Sequence, residues 1–598
     1  MTVLELPRVV RSAQAPVRRP RRRLGNEANA LTGVALAVYV VGAAVMIFHF
    51  DVIMEDALSR VANAEYVLYS RQPKLSAVGF VWTPLPSFAY LPFLWIKAIW
   101  PAAIARGFLA NVGSAIAMAL AVRVLHATLL DLRVRRAPRL AIVIVFAVQP
   151  LIFFFAINGM TEAMLVAFIL MATRRLIAWL DSREVHNLVA AGLALGLGYL
   201  ARYEVAAVGV AAMVLVAGVS WCSARHDRAM RRTVTLGDAA LVGLPVVVAF
   251  VVWAATSWIV VGHPFEQFSS QYGNSALIRN AEQAGQAGAV TSSAPLFVPT
   301  QWMVVAPLLL PVGIAVLVRS IRRRDARPLV PLLLLGAVPL FEAIAYMAGS
   351  LFGFLRYQIV VVPLFALLVG FLFAPTLAPE GAVRPASASA AALLHRRARR
   401  WAASAVGGRP AVRVLLATGI AAGLMVSSTA VTGWAAMNRP DLASQEYGLF
   451  RPMVLSAVGR PVRSDLSGTW LGDREVAASL DRMHLPHSSV LLDSAAGFAV
   501  ITASHDPKQL VVTSDTDFSG ALIDPVGHRI SYLLVCDRPV QIDQVAKMYA
   551  GRLGGPKGVP WATLATRFSE LPGSAHQWSL WKVDLSYKIP AKPAAVIH

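Results

Sequence analysis

Apolar runs of about 20 residues recur along this chain between short polar stretches, the length a helix needs to cross a hydrocarbon layer. The first covers 31–50. No clear small-residue cleavage site follows it, so a retained first helix is expected there. Further spans are expected over 106–126, 140–156, a run ending at Arg174 and Arg175, 188–203, a run ending near Arg225, and 239–261. Three more fall between Gln301 and Ala378, and the last lies at 414–436. Two stretches after the first span read differently. Residues 56–70 mix apolar and charged positions as an interfacial helix does, and 84–100 reads as re-entrant or interfacial. Beyond Met437 no span remains: 490–492, 510–512 and 532–535 have strand character, and 545–553 helical character.

The expected fold class is therefore a polytopic α-helical membrane protein of about eleven spans with a C-terminal soluble α/β domain. Its organisation reads as a basic tail 1–30, a transmembrane module 31–377 with a large first outer loop 51–105, a linker 378–413 rich in Ala, Ser, Pro and Arg, a last span 414–436, and the α/β domain 437–598. Gly192, Gly196 and Gly198 on the fifth span suggest close helix packing.

Charge sets the orientation. The 598 residues hold 55 Lys and Arg against 33 Asp and Glu, but only 15% are charged and 57% are hydrophobic. The arginines fall in short clusters between spans: Arg21 to Arg23, Arg133 to Arg139, Arg228 to Arg232, Arg322 to Arg327 and Arg396 to Arg400. All of these lie on one side of an eleven-span chain, as the positive-inside rule requires. A nucleic-acid-binding role is excluded by that distribution. The expected placement is the plasma (inner) membrane, multi-pass, with the N-terminus cytoplasmic and the C-terminal domain extracytoplasmic. Two cysteines, Cys222 and Cys536, are too few for a disulfide framework or a thiolate metal site.

Candidate chemistry begins at Glu55 and Asp56, adjacent carboxylates just after the first span reaches the outer surface. Arg60, Tyr66 and Trp82 follow in an aromatic and proline-rich loop. Arg202, Tyr203 and Glu204 close the fifth span, Arg356 and Tyr357 open the tenth, and Asn158 and Glu162 form the turn between the third and fourth. Glu342 lies inside an apolar run, where a carboxylate normally faces the bundle interior. His263 opens the second outer loop. Asp515-Thr516-Asp517 spells the Asp-x-Asp pattern of nucleotide-sugar transferases, but reads as a turn after the strand ending at Val512. No His/Cys/Asp cluster has metal spacing. The outer domain is expected to dock an acceptor or partner rather than to perform chemistry.

The acidic pair after the first span, the large outer loop, the Asn158-Gly159-Met160-Thr161-Glu162 turn, Leu200-Ala201-Arg202-Tyr203-Glu204 and Phe354-Leu355-Arg356-Tyr357 together resemble the GT-C class of membrane glycosyltransferases. The subgroup most similar contains protein O-mannosyltransferases, lipid A aminoarabinose transferases and actinobacterial relatives, and the resemblance covers about residues 31–375. It implies transfer of a sugar, with mannose or arabinose as natural examples, from a polyprenyl-phosphate donor to a glycan, lipid or protein acceptor of the cell envelope. The class's catalytic acid maps onto Asp56 or Glu55. Many relatives carry two consecutive prolines in the first loop where this chain has Thr83-Pro84-Leu85-Pro86, which leaves subfamily and acceptor open.

Such a reaction needs a base for the acceptor hydroxyl and a cation for the departing phosphate. Asp56, tuned by Glu55, suits the first need, and Arg356 and Arg202 suit the second. No cofactor is required, and a divalent ion stays open. Two other readings compete. A transporter or flippase of lipid-linked sugars wants inverted repeats and broken helices at mid-membrane, neither visible here. A non-catalytic scaffold or sensor predicts that Asp56 is dispensable.

Overall fold

The computed structural model describes residues 21–223, 228–266, 270, 272–273, 276–279, 295–375, 410–460, 467–537, 543–549, 551–554, 558–569, 571 and 574–587. The basic tail up to residue 20, most of the 378–413 linker with Arg396 to Arg400, Arg225 and the 282–293 segment lie outside the described residues.

Among the described residues, eight helices are long and apolar enough to cross a membrane, and two bent pairs bring the number to ten. The first bent pair is Arg136–Val148 with Pro150–Ile157, turned by 55°. Pro150 has no amide hydrogen, and Gln149 caps the new helix by accepting from Leu151 N and Ile152 N. The second pair, Phe297–Val305 with Leu309–Arg323, bends by 78° around Pro307. Both breaks fall inside runs that periodicity reads as continuous. An eleventh candidate is the 17-residue apolar helix Val185–Ala201, which packs between Glu162–Ser182 and Arg228–Val261.

Close packing there depends on absent side chains. A Cβ on Gly196 would lie 2.9 Å from the Pro245 carbonyl oxygen, and one on Gly192 would lie 2.8 Å from that of Val242. Backbone cannot yield as a flexible side chain does. Gly196→Ala is therefore expected to destabilise the bundle by about 1–3 kcal/mol, read as a lowered melting temperature in detergent.

Several of the basic clusters meet at one end of the bundle. Glu27 pairs with Arg139 at 2.8 Å, Asp131 with Arg174 at 2.8 Å, and Asp181 with Arg327 at 4.0 Å.

The segment after the first span departs from the interfacial expectation. Helix Glu55–Tyr69 buries Leu58, Val61, Tyr66 and Val67 between the bundle helix Phe108–Asp131 and helix Ser494–Ala503 of the C-terminal domain, instead of lying exposed along an interface. Its apolar positions therefore serve protein on two sides. The 84–100 segment is a short helix, Leu85–Tyr90, tightening into the 3-10 helix Leu91–Ala98, and it is not among the spans.

The C-terminal domain carries a five-stranded sheet: β1 Val490–Leu491, β2 Leu510–Val511, β3 Tyr532–Cys536, β4 Ala562–Arg567 and β5 Trp578–Val583, in the order β2-β1-β3-β5-β4. β1 runs parallel to both β2 and β3, while β5 is antiparallel to β3 and β4. β4 and β5 are not apparent in the apolar pattern. Five of the six β4 residues are exposed, so its sequence Ala-Thr-Leu-Ala-Thr-Arg alternates weakly.

This domain is joined to the segment that follows the first span. Arg474 and Arg106 both bind Asp51, at 2.7 and 2.8 Å, the Trp470 indole donates to Ile53 O, and Ser467 Oγ donates to Phe50 O. Asp51 itself has φ 51°, a left-handed conformation unusual for a residue with a side chain, held by these partners. Arg71 reaches Asp515 at 3.3 Å and also pairs with Asp517. The chain around Glu55 and Asp56 is thus fixed from the far end of the sequence.

Candidate functional site

Glu55 and Asp56 form the first turn of helix Glu55–Tyr69, where carboxylates favour the positive helix end. A left-handed glycine presses against this turn. Gly159 has φ +80°, and a Cβ on it would lie 2.7 Å from Ala57 Cβ and 2.9 Å from Asn111 Oδ1. The turn containing it is anchored to helix Phe108–Asp131. Asn111 Nδ2 donates to Ile157 O at 2.6 Å, and Gly159 N donates to Ser114 Oγ at 3.1 Å. Gly159→Ala is expected to displace Ala57 and with it Asp56. It should lower the melting temperature and any activity that depends on Asp56, and an unchanged melting temperature would contradict this packing.

Around Asp56 the structure collects side chains distant in sequence. Arg356 Nη1 lies 3.5 Å from Asp56 Oδ2, and its Nε lies 3.7 Å from Glu162 Oε1. Its guanidinium sits 5.0 Å from the Phe354 ring and 5.3 Å from that of Tyr357. Arg202 is gripped more closely: Glu204 at 2.6 Å, Glu162 at 2.8 Å, and Thr161 Oγ1 at 3.4 Å. Two carboxylates thus hold Arg202 closely, whereas both of Arg356's carboxylate partners stand at the limit of contact and its other hydrogen bond is to the Tyr357 side chain. Arg60 is buried with its guanidinium 5.0 Å from the Trp82 ring, and its Nε and Nη1 have no hydrogen-bond partner.

Two adjoining cavities share Asp56, Trp82, Arg356 and Tyr357. The smaller is a recess of about 40 Å3 reaching Arg60, Arg202, Tyr203 and Glu204. The larger, about 670 Å3, lies within the roughly 300–1,000 Å3 of small-molecule sites and also takes in Glu55 and Tyr66. Its remaining wall comes partly from the C-terminal domain, through Ser494, Ser514, Asp515, Thr516 and Gln544.

The other sequence candidates have different positions. Asn158 is fully buried and its Oδ1 accepts from Met160 N, so its contact is to the turn rather than to either cavity. Glu162 is buried behind the two arginines. Glu342 is buried too, with neither carboxylate oxygen hydrogen-bonded, and lines neither cavity. His263 is exposed beyond helix Arg228–Val261, outside both cavities, and its carbonyl accepts from Ser257 Oγ.

Desolvation, then the neighbouring charge of Asp56, raises the Glu55 carboxyl above its usual range, although its side chain is accessible to water within the chamber. A second acid emerges only in three dimensions. Glu446 on helix Ser444–Ala457 is buried with no side-chain partner for either oxygen, and burial pushes its carboxyl up to about 7 against partial pulls from its own backbone amide and from Arg356. No local signal marks it, since Gln445-Glu446 reads as an ordinary solvated helix start.

The sign of its effect on stability follows from linkage. An unfolded glutamate titrates near 4.5 and this one near 7, so the folded chain holds the extra proton between those values. Stability then falls as pH rises through that window. Glu446→Gln should melt higher than the parent at pH 8 and alike at pH 4.5; identical curves at pH 8 would contradict the assignment.

The Asp-x-Asp segment does form a turn after β2, but its acids engage Arg71 and it faces the larger cavity. The C-terminal domain therefore contributes directly to the chamber wall, which a reading limited to strand patterns does not foresee. Among the described residues no group of three or more His, Cys, Asp or Glu is placed to hold a metal ion.

No family model and no curated protein matches the sequence. Among solved structures the chain is similar to ArnT from Cupriavidus metallidurans bound to undecaprenyl phosphate, with a TM-score of 0.51 and 12% identity across 93% of this chain and 98% of that one. The apo state of that protein matches at 0.49 with 13% identity, covering 94% and 99%. The Archaeoglobus fulgidus oligosaccharyltransferase in its apo form matches at 0.41 with 12% identity, covering 84% and 69%. The first likeness establishes a shared fold, and a shared fold does not by itself carry an activity.

Proposed function

We propose, on the premise that this chain has the GT-C fold, that it is a membrane glycosyltransferase moving a sugar from a polyprenyl-phosphate donor to a cell-envelope acceptor. One observation carries the reading: Asp56 stands where the two cavities meet, 3.5 Å from the loosely held Arg356. The undecaprenyl phosphate named with ArnT is a donor-side ligand of the kind proposed here.

In this mechanism the acceptor hydroxyl oxygen attacks the anomeric carbon as the bond from that carbon to the phosphate oxygen breaks. The hydroxyl proton passes to the Asp56 carboxylate, polyprenyl phosphate departs, and the anomeric configuration inverts. Arg356 neutralises the charge that grows on the departing phosphate. Its two weak carboxylate contacts leave it able to turn toward a stronger anion, and the aromatic rings of Phe354 and Tyr357 limit where it can go. Arg202, already satisfied by Glu162 and Glu204, orders those acids and the Arg356 side chain near them. Glu55, its carboxyl raised by desolvation and by the charge of Asp56, tunes the pair. The test is sugar transfer by purified protein in lipid from a synthetic polyprenyl-phosphate sugar.

The proposed topology places the chamber and the α/β domain outside and the basic clusters inside. The ion pairs that join several clusters at one end of the bundle support it. Cys536 is buried in β3 and makes a poor probe, whereas Cys222 is exposed. In intact cells a membrane-impermeant maleimide should label Ser519→Cys, an exposed position of the outer domain, and should reach Cys222 only after permeabilisation. The reverse pattern would overturn the orientation.

A further inference from the structure

β1, β2 and β3 run parallel, so their carboxyl ends lie at one edge of the sheet, the edge at which open α/β sheets hold ligands. Ser494 follows β1, Ser514, Asp515 and Thr516 follow β2, and Gln544 lies beyond β3; all of them line the chamber that contains Glu55 and Asp56.

We infer that this strand edge is the acceptor subsite, and that the acceptor presents a neutral, polyhydroxylated glycan end to Asp56. The inference rests on the transferase reading and gives it a substrate class. Its first support is a set of unmet hydrogen bonds. Tyr66 Oη, Gln445 Oε1, Ser514 Oγ and Asp515 Oδ1 belong to residues of the chamber wall, are buried, and have no partner. Leaving such a group unpaired costs about 1–3 kcal/mol. Three of the four belong to the C-terminal domain or its leading helix, distant in sequence from the donor-side arginine. A sugar hydroxyl both donates and accepts, so it suits amide, hydroxyl and carboxylate oxygens alike.

Charge argues against an anionic acceptor. Asp56, Glu266 and Asp515 line the chamber against Lys74 and Arg356, with the Glu55 carboxyl beside Asp56 adding no cation. Arg71, the guanidinium beside Asp515, is already held by Asp515 and Asp517. Rings complete the match: Trp82 and Tyr272, half-buried in the wall, supply aromatic surface of the kind that packs on the carbon-hydrogen face of a pyranose or furanose. Tyr272 also ties the two parts of the wall together, since its hydroxyl bonds Asp493 Oδ2 at 3.2 Å and accepts from Gln544 Nε2 at 2.5 Å.

The test uses the full-length protein in lipid nanodiscs, titrated with a panel of neutral hexose and pentose disaccharides and, separately, with Ser/Thr-containing peptides. Binding is read by saturation-transfer NMR without donor. At least one disaccharide should bind. Ser514→Ala and Gln445→Ala should each weaken it about tenfold, because each removes one hydrogen bond to substrate and none within the protein. The same variants should raise the acceptor KM and leave the donor KM unchanged. Failure of every disaccharide to bind, binding of the peptides instead, or wild-type affinity in both variants would overturn the subsite. Polyprenyl phosphate binding, followed in the same preparation, separates the two readings. A disaccharide bound with no affinity for the lipid phosphate would sink the transferase reading and leave the subsite standing. Lipid phosphate bound and sugar transferred, with no disaccharide affinity, would do the opposite.

Discussion

Asp56→Asn is expected to bind the lipid-linked donor as the parent chain does and to turn over roughly two to four orders of magnitude more slowly, the share that general-base catalysis usually supplies. The substitution keeps size and hydrogen-bonding shape, so the first turn of helix Glu55–Tyr69 should keep its place beneath the Gly159 turn. What it removes is the ability to take a proton as the new bond forms. Glu55→Gln should cost less, because its proposed role is to tune the pair rather than to take the proton. Transfer at the parent rate by Asp56→Asn would make Glu55 or Glu162 the base to test next.

Arg356→Ala should behave differently. A phosphate contact exists before the reaction and strengthens during it, so donor affinity and turnover should both fall, with roughly 10²–10³-fold in rate from the loss of one charged donor at a developing anion. Arg356→Lys should recover part of the affinity but less of the rate, since an ammonium cannot repeat the forked geometry. Arg202→Ala offers the contrast. Removing it leaves Glu204 buried without its cation and Glu162 with only the more distant Arg356, so its main effect should be on stability, about 3–5 kcal/mol for a broken buried pair. Equal losses of donor affinity in both variants, with no loss of stability in Arg202→Ala, would reverse the two roles.

Much of this site is legible in the chain because its parts sit at span ends. Glu55 and Asp56 follow the first apolar run, Arg202 ends another, and Arg356 begins a third, so the alternation of spans alone places them at one end of the bundle. The three parallel strands are legible for the same reason: 490–492, 510–512 and 532–535 are short apolar runs between polar turns. What the pattern does not contain is pairing across hundreds of residues. Arg71 with Asp517, Trp470 with Ile53 and Arg474 with Asp51 join segments more than 400 residues apart, and nothing local to either partner announces the other. The C-terminal domain's place in the chamber wall follows from those pairs. Helix Glu55–Tyr69 was open to misreading on the same account, because an amphipathic helix on a lipid surface and one between two protein layers have similar patterns. Glu446 and Asn158 show the opposite limits. The first is an unremarked residue in a polar helix start that becomes a buried acid beside Arg356, and the second is a conspicuous polar residue that caps its own turn.

The most direct measurement follows the donor's phosphorus. In nanodiscs containing the purified protein, a polyprenyl-phosphate sugar is a phosphodiester and the departing polyprenyl phosphate is a monoester, and phosphorus NMR distinguishes the two. With a cell-envelope extract as the acceptor source, the parent chain should convert diester to monoester while the sugar appears on acceptor with inverted anomeric configuration, and Asp56→Asn should do neither at a comparable rate. A diester that stays intact, or that only changes leaflet, would contradict a transferase and favour a carrier of lipid-linked sugars.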